Sequence, residues 1–239
     1  MEDVPSVIAY SDFAAPGCGE MVVGFDLDAT LIDTTPAIAA TLAEAARRVG
    51  VTLDIPRLID GLGPGLRDLL ESQVSPEIAA RLAACYREVY RLKGIQYARA
   101  LPGAAAAVAA VRRRGGRLIM ITGQREDTAR LHLARERLPV AEVIGSAGGA
   151  SEKRSALLAH GVLVYVGDQP TDIAAAVGAR ATAVAVATGR HTRDELGSAD
   201  VVLDSLEEFP AWFAAFRPLS DERLPLANVR TERPHGRST

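Results

Sequence analysis

Four aspartates stand in two short clusters whose spacing suits a cation. Asp26 and Asp28 fall in Asp26-Leu27-Asp28-Ala29-Thr30, straight after an apolar run at residues 21–25. Two positions apart, their carboxylates would share one side of an extended strand end. Like charges placed so need a cation or a shared proton. Asp168 and Asp172 fall in Gly167-Asp168-Gln169-Pro170-Thr171-Asp172, behind a second apolar run at residues 163–166. Asp168 is expected at that strand's end and Asp172 in the first turn of the following helix. Oxygen ligands, with no His or Cys cluster beside them, favour Mg²⁺ over zinc.

Two further segments complete the set. Thr122-Gly123-Gln124 follows the apolar run at residues 118–121 and precedes a helical pattern. A hydroxyl followed by free backbone N–H groups at a helix N-terminus makes a cradle for a phosphate. Lys153 opens the helix after the next short strand, from where it could reach the same crevice as a compact positive charge. It is one of only two lysines, with Lys93, among 27 basic residues. A carboxylate nucleophile, a divalent cation, a hydroxyl and amide cradle and a lysine together suit phosphoryl transfer.

The elements that would position these groups alternate in type. Strands are expected at 21–25, 118–122, 143–144, 163–166, 181–186 and 201–203. Helices are expected at 35–49, 104–114, 126–137, 152–160, 171–179 and 206–216, with Thr35-Pro36 supplying the first N-cap and first-turn proline and Gly50 the stop. Strands alternating with helices predict an α/β fold, a doubly wound parallel sheet covered on both faces. Ligands then bind at the carboxyl ends of the strands, where all four motifs fall. Between the first strand and residue 99 the pattern is all helical, with Pro56, Pro64 and Pro76 each placed to begin a helix. The expected organisation is therefore an extension at 1–20, a core at 21–33 and 100–216, an inserted all-helical cap at 34–99, and a disordered tail at 217–239.

Composition removes other classes. The 239 residues carry 27 basic and 30 acidic side chains, a formal charge of −3, with 48% hydrophobic residues. Those values suit a globular chain and supply no basic field for nucleic acid or an anionic membrane. Two cysteines, Cys18 and Cys85, exclude a disulfide scaffold and a multi-cysteine zinc site. No apolar run approaches the roughly 20 residues that cross a bilayer, and residues 1–10 lack the basic n-region of a signal peptide. A cytoplasmic protein, monomeric or homodimeric, is expected.

The ordered set Asp26-x-Asp28-x-Thr30, Thr122, Lys153 and Gly167-Asp168-x-x-x-Asp172 resembles the four motifs of the haloacid dehalogenase superfamily. The helical insert resembles that of its phosphoglycolate phosphatase-like branch, as do Thr34-Pro36 and Leu101-Pro102-Gly103 at its flanks. The likeness spans residues 21–216. It implies a Rossmann-like core and a Mg²⁺-dependent phosphomonoesterase acting on a small phosphorylated metabolite. By the resemblance, Asp26 is the nucleophile and Asp28 the general acid and base. Thr122, Gly123 and Lys153 hold the phosphate. Asp26, the backbone carbonyl of Asp28, and Asp168 bind the metal, with Asp172 in support. Two departures stand out: Ala29 replaces the family's usual glycine, and Lys153-Arg154 replaces its usual Lys-Pro pair, with a short interval to Asp168.

Other readings use the same residues. A sugar phosphomutase shares both aspartates, and a non-catalytic phospho-ligand binding module would keep the cradle. A dehalogenase is disfavoured by Asp28, because a halide leaving group needs no proton. A Schiff-base phosphonate hydrolase would need a cap lysine, and only Lys93 offers one. Arg67, after the glycine-rich Gly61-Leu62-Gly63-Pro64-Gly65, is either a substrate contact from the cap or part of a solvated helix face. Lys93 suits a helix C-terminus, where a cation meets the dipole. Cys18 and Cys85 have no nucleophilic partner, and His132, His160, His191 and His235 fit no ligand spacing.

Overall fold

The computed structural model describes residues 21–62 and 66–218. The expectations for residues 1–20, for 219–239 and for Pro64 lie outside them. Six parallel strands form one sheet in the order β5-β4-β1-β6-β7-β8. These are β1 (Val22–Phe25), β4 (Arg117–Ile121), β5 (Glu142–Ile144), β6 (Val162–Gly167), β7 (Thr182–Val186) and β8 (Val201–Leu203). The chain runs outward from β1 to one edge and returns across it to the other, so β1, β4 and β6 lie side by side at the reversal.

Both faces of these strands are apolar because both are covered. Leu118 and Met120 of β4 join Val23, Phe25, Val164 and Val166 on one face. Ile119 and Ile121 join Val22, Val162 and Tyr165 on the other. The first face is closed by α5 (Ala104–Arg113), α6 (Glu126–Arg135) and α9 (Phe209–Ala215), which contribute Val108, Leu133, Phe209 and Phe213. The second is closed by α7 (Ala150–Ala159) and α8 (Pro170–Gly178), which contribute Leu157 and Ile173. No helix among the described residues is long and apolar enough to cross a membrane.

The segment after β1 is helical, as expected: α1 (Thr35–Val49), α2 (Ile55–Asp60), α3 (Leu66–Glu71) and α4 (Pro76–Leu92), then a short 3₁₀ turn, Gly94–Tyr97. These helices own a separate apolar cluster built on Leu42, Leu58, Leu70 and Leu82. Gly50 ends α1 in the left-handed conformation at φ 78°. The first helix is capped one position earlier than expected, at Thr34, and its hydroxyl makes no cap bond. That hydroxyl is used elsewhere.

A two-stranded antiparallel ribbon was not expected from the pattern. It joins β2 (Ile32–Asp33) to β3 (Arg99–Ala100), pairing Ile32 with Ala100 and Asp33 with Arg99. The ribbon brings both ends of the insert together where it leaves the core. Helix bounds also differ from expectation at several ends. The helix α7 begins at Ala150, which places Lys153 inside its first turn, and α9 begins at Phe209.

The turn after β1 is strained. Ala29 adopts φ 55°, a region L-residues enter at a cost of roughly 1–2 kcal/mol. Its amide donates to the Ile32 carbonyl at 2.8 Å, and its carbonyl accepts from the Thr188 hydroxyl at 2.6 Å. These bonds hold the residue there. Ala29→Gly is therefore expected to raise stability by about 1 kcal/mol in urea unfolding, since glycine enters this conformation freely. A loss of stability would mean that the turn stores no strain.

Candidate active site

Strand β1 delivers Asp26 one residue past its end, where the Asp26 amide donates to the Val166 carbonyl of β6 at 2.8 Å. The side chain is buried. Strand β6 ends in Gly167 and delivers Asp168, also buried. Asp172 lies in the first turn of α8, and its Oδ2 accepts from the Gln169 amide at 3.1 Å. A Cβ on Gly167 would overlap the Asp172 side chain, and one on Gly189 would overlap Asp168. Both glycines are needed so that the carboxylates can lie against bare backbone.

Ligand oxygens of Asp26, Asp168 and Asp172 lie within 4.8 Å of one another. Lys153 enters from α7 with its Nζ 3.1 Å from Asp26 Oδ1 and 2.6 Å from Asp172 Oδ1. Its side chain is 4% exposed. Burial alone would push the ammonium toward neutrality, but the Asp26 and Asp172 carboxylates outweigh it and hold the lysine charged. Asp26 is raised well above the usual carboxylate range, chiefly by burial, against the pull of Lys153. Burial, with Asp172 next, pushes Asp168 up to about 7. The motif's Thr30 donates its hydroxyl to Asp168 Oδ1 at 3.4 Å, a weak contact. One ammonium cannot balance three buried carboxylates. The oxygen-only donor set and its surplus charge therefore fit a hard cation such as Mg²⁺.

Asp28 does not join this cluster. The expectation that it points the same way as Asp26 assumed an extended chain, but the strand stops at Phe25. The Leu27 carbonyl accepts from Leu31 and Ile32 amides, curling the backbone into a turn. Asp28 Oδ1 instead accepts from the Thr34 hydroxyl at 2.5 Å and the Gln124 side-chain amide at 2.6 Å. Three carboxylates converge, and the fourth is held to one side.

Thr122 follows β4, buried at its carboxyl end, and its Oγ1 accepts from the Gln124 amide at 3.2 Å. Gly123 is exposed beside it, and a Cβ there would come within 3.1 Å of the Gly148 backbone. Arg67 is not brought to this site. It pairs with Glu71 one helical turn on, at 2.7 Å, on an exposed face of the insert. Lys93 caps the C-terminal end of α4, as its sequence position suggested.

Sequence reasoning missed the partners of Asp28. Thr34 was read only as part of a flanking motif and Gln124 only as part of the loop after Thr122. Gln124 lies 96 positions from Asp28, and no local pattern connects them. Thr188 and Gly189, which support Ala29 and Asp168, carried no motif at all.

Fold and geometry define the class: an α/β enzyme with a buried carboxylate and lysine centre at the strand ends of a parallel sheet. The profile of the haloacid dehalogenase-like hydrolases matches residues 21–180. The chain belongs to that family and is a hydrolase. It is 30% identical over 240 residues to a phosphoglycolate phosphatase of Rhodospirillum rubrum, covering 88% of this chain and 97% of the relative. It is 29% identical over 215 residues to the tyrosine-protein kinase PtkA of Mycobacterium tuberculosis, covering 82% of this chain and 74% of the relative. A haloacid dehalogenase-like family protein of Streptococcus pneumoniae shares the fold, with a TM-score of 0.71 and 22% identity over 81% of this chain and 98% of that one.

The raised carboxylates set a pH dependence. A group whose pKa is higher in the folded than in the unfolded chain stabilises the fold at low pH and loses that contribution as pH rises through the folded value. Without divalent cations, the melting temperature is therefore expected to fall between about pH 5 and about pH 8 as Asp168, pushed up to about 7, ionises. Millimolar Mg²⁺ should restore most of the loss at the upper pH and little at the lower one. A melting temperature insensitive to Mg²⁺ at the upper pH would mean that the cluster holds no cation.

Proposed function

We propose that this hydrolase is a Mg²⁺-dependent phosphomonoesterase acting on a small phosphorylated metabolite through an aspartyl-phosphate at Asp26. The observation that carries the reading is the buried Asp26, held 3.1 Å from Lys153 with Asp168 and Asp172 beside it. An ionised Asp26 in such a place is an oxygen nucleophile with the Lys153 ammonium as its direct counter-charge.

In the reaction, an Asp26 oxygen attacks phosphorus and the bond to the leaving oxygen breaks. Asp28, outside the cation cluster, donates a proton to that leaving oxygen. Water then attacks the phosphorus of the aspartyl-phosphate, Asp28 takes its proton, and inorganic phosphate departs with Asp26 restored. Lys153 neutralises the transferring oxygens, and the Thr122 hydroxyl with the Gly123 backbone cradles them. Asp26, the Asp28 carbonyl, Asp168 and Asp172 would hold Mg²⁺, directly or through water. When bound, it offsets their charge and polarises the phosphoryl oxygens.

Residues 34–99 serve in this reading as a cap over the core formed by 21–33 and 100–216. They would shield the site from bulk water and select the leaving group. The phosphoglycolate phosphatase relative supports a short, anionic leaving group. A second reading, transfer of the phosphoryl group to an acceptor other than water, is favoured by the likeness to a protein named as a tyrosine kinase. Both readings need the same nucleophile and differ in what relieves it. Release of inorganic phosphate from 2-phosphoglycolate and 4-nitrophenyl phosphate, with and without Mg²⁺, separates them. Absence of release alongside phosphorylation of an added acceptor from ATP would favour the second.

Two substitutions test the roles. Asp26→Asn keeps the shape and removes the nucleophile, so turnover should fall below about 1% while the fold persists. Retention of more than a few per cent would remove Asp26 from that role. Lys153→Arg should cost at least about tenfold in kcat/KM, about 1.4 kcal/mol, because a planar guanidinium is too wide for a pocket shared with Asp26 and Asp172. Lys93→Arg should be close to neutral. Equal behaviour of the two arginine variants would make Lys153 an ordinary charge.

A further inference from the structure

The chemistry above uses Lys153 and Thr122 to hold the transferring phosphoryl group, and one buried side chain reaches toward both. Tyr165 lies within β6, 1% exposed, on the sheet face that α7 and α8 cover. Its ring crosses β1 at Gly24, where a Cβ would come within 2.9 Å of Tyr165 Cδ2. Its hydroxyl donates to the Ile121 carbonyl of β4 at 3.0 Å. Strands β4 and β6 are not neighbours: β1 runs between them, and strands so related lie about 10 Å apart. Gly24 pairs in register with Tyr165 on one side and with Ile119 on the other. The hydroxyl therefore lands two residues further along β4 than its own register, on the residue that precedes Thr122.

Lys153 meets the same ring from α7. Its Nζ lies over the Tyr165 ring, 6.0 Å from the centroid, within range for attraction between a cation and a π face. Asp26 and Asp172 take two of the ammonium's three donors, at 3.1 Å and 2.6 Å. Among the described residues no other group accepts from it, which leaves the third donor for a phosphoryl oxygen. A π face attracts the charge without taking that donor, whereas a hydroxyl or an amide oxygen in the same place would accept it. Packing alone does not ask for this residue. Val164 and Val166 fill the other face of β6 with ordinary strand side chains. A glycine inside β1 weakens that strand, because it offers no side chain to pack. The chain keeps Gly24 all the same, and Tyr165 occupies the space it frees.

We propose that Tyr165 is a positioning residue for phosphoryl transfer: its ring seats the Lys153 ammonium, and its hydroxyl fixes the end of β4 from which Thr122 follows. One rigid side chain then sets the separation of the two groups that hold the phosphoryl oxygens. The proposal rests on the roles given to Lys153 and Thr122 above.

A buried tyrosine also packs, so the test separates stability from the hold on the phosphoryl group. Tyr165→Phe keeps the ring and releases the Ile121 carbonyl, and should lower kcat/KM about threefold. Tyr165→Leu removes the ring and should lower it about thirtyfold. The loss should be the same on 2-phosphoglycolate and on 4-nitrophenyl phosphate, because the phosphoryl group is common to both. Adding Gly24→Ala to Tyr165→Leu fills part of the void and should restore melting temperature. Activity should stay at the level of Tyr165→Leu. Recovery of activity together with stability would overturn the proposal, as would full activity in Tyr165→Leu.

A second readout needs no turnover, because the chain has only two lysines. With lysine labelled with carbon-13, two Cε signals are expected, and Lys93→Arg identifies the one from Lys153. That signal should shift in Tyr165→Leu and change little in Tyr165→Phe, while the Lys93 signal stays fixed. A Lys153 signal unmoved by loss of the ring would overturn the proposal. If the wild-type protein hydrolysed no phosphomonoester, the proposed function would fall, and the lysine signals would still decide whether Tyr165 seats Lys153.

Discussion

Unbalanced negative charge in a buried pocket is the constraint on which the rest of this structure depends. Asp26, Asp168 and Asp172 are taken out of water together, and among the described residues Lys153 is the cation paired with them. Burial of one unpaired carboxylate costs several kcal/mol, and crowding raises that cost for each neighbour. Such a cluster is relieved by proton uptake, which the raised Asp26 and Asp168 express, or by a hard cation, which its oxygen donors fit. The ionisation of Asp168, pushed up to about 7, expresses this tension directly.

The surrounding architecture can be understood as the means of holding that cluster. The sheet reverses direction at β1, which opens a crevice where the ends of β1, β4 and β6 lie together. Apolar side chains on both faces fix the strand register, so Asp26 and Asp168 project from neighbouring strand ends. The helix α7 delivers Lys153, and α8 delivers Asp172 from its first turn, where the helix dipole favours a carboxylate. Gly167 and Gly189 leave the space these carboxylates occupy. The strained Ala29 turns the chain so that Asp28 leaves the cluster and reaches Thr34 and Gln124. In the proposed reaction, this segregation of one carboxylate from three lets a nucleophile and a proton donor sit two residues apart.

Much of this was legible in the sequence. The apolar runs gave the parallel sheet, because a strand buried on both faces has no polar alternation to confuse it. The motifs at residues 26–30, 122 and 167–172 begin at strand ends once the strands are placed, and Lys153 falls in the helix after β5. What stayed hidden depended on contacts distant along the chain or on elements too short to show a period. The two-residue strands β2 and β3 have no pattern of their own. The direction of Asp28 was misread because spacing alone assumes an extended backbone, and the chain turns at Leu27. The contacts of Gln124 with Asp28 and of Tyr90 with His132 join residues far apart in the chain, and no local pattern shows them. Arg67, suggestive beside its glycines, is turned to Glu71 instead.

In the proposed reaction a buried carboxylate at the end of β1 carries the phosphoryl group. The most direct measurement is mass analysis of peptides from protein quenched in acid during turnover of a phosphomonoester with Mg²⁺. One added phosphoryl group is expected on the peptide containing Asp26, lost on treatment with hydroxylamine and absent when Mg²⁺ is withheld. Turnover with no phosphorylated Asp26 peptide under any quench, or with the phosphoryl group on another residue, would contradict the proposed reaction.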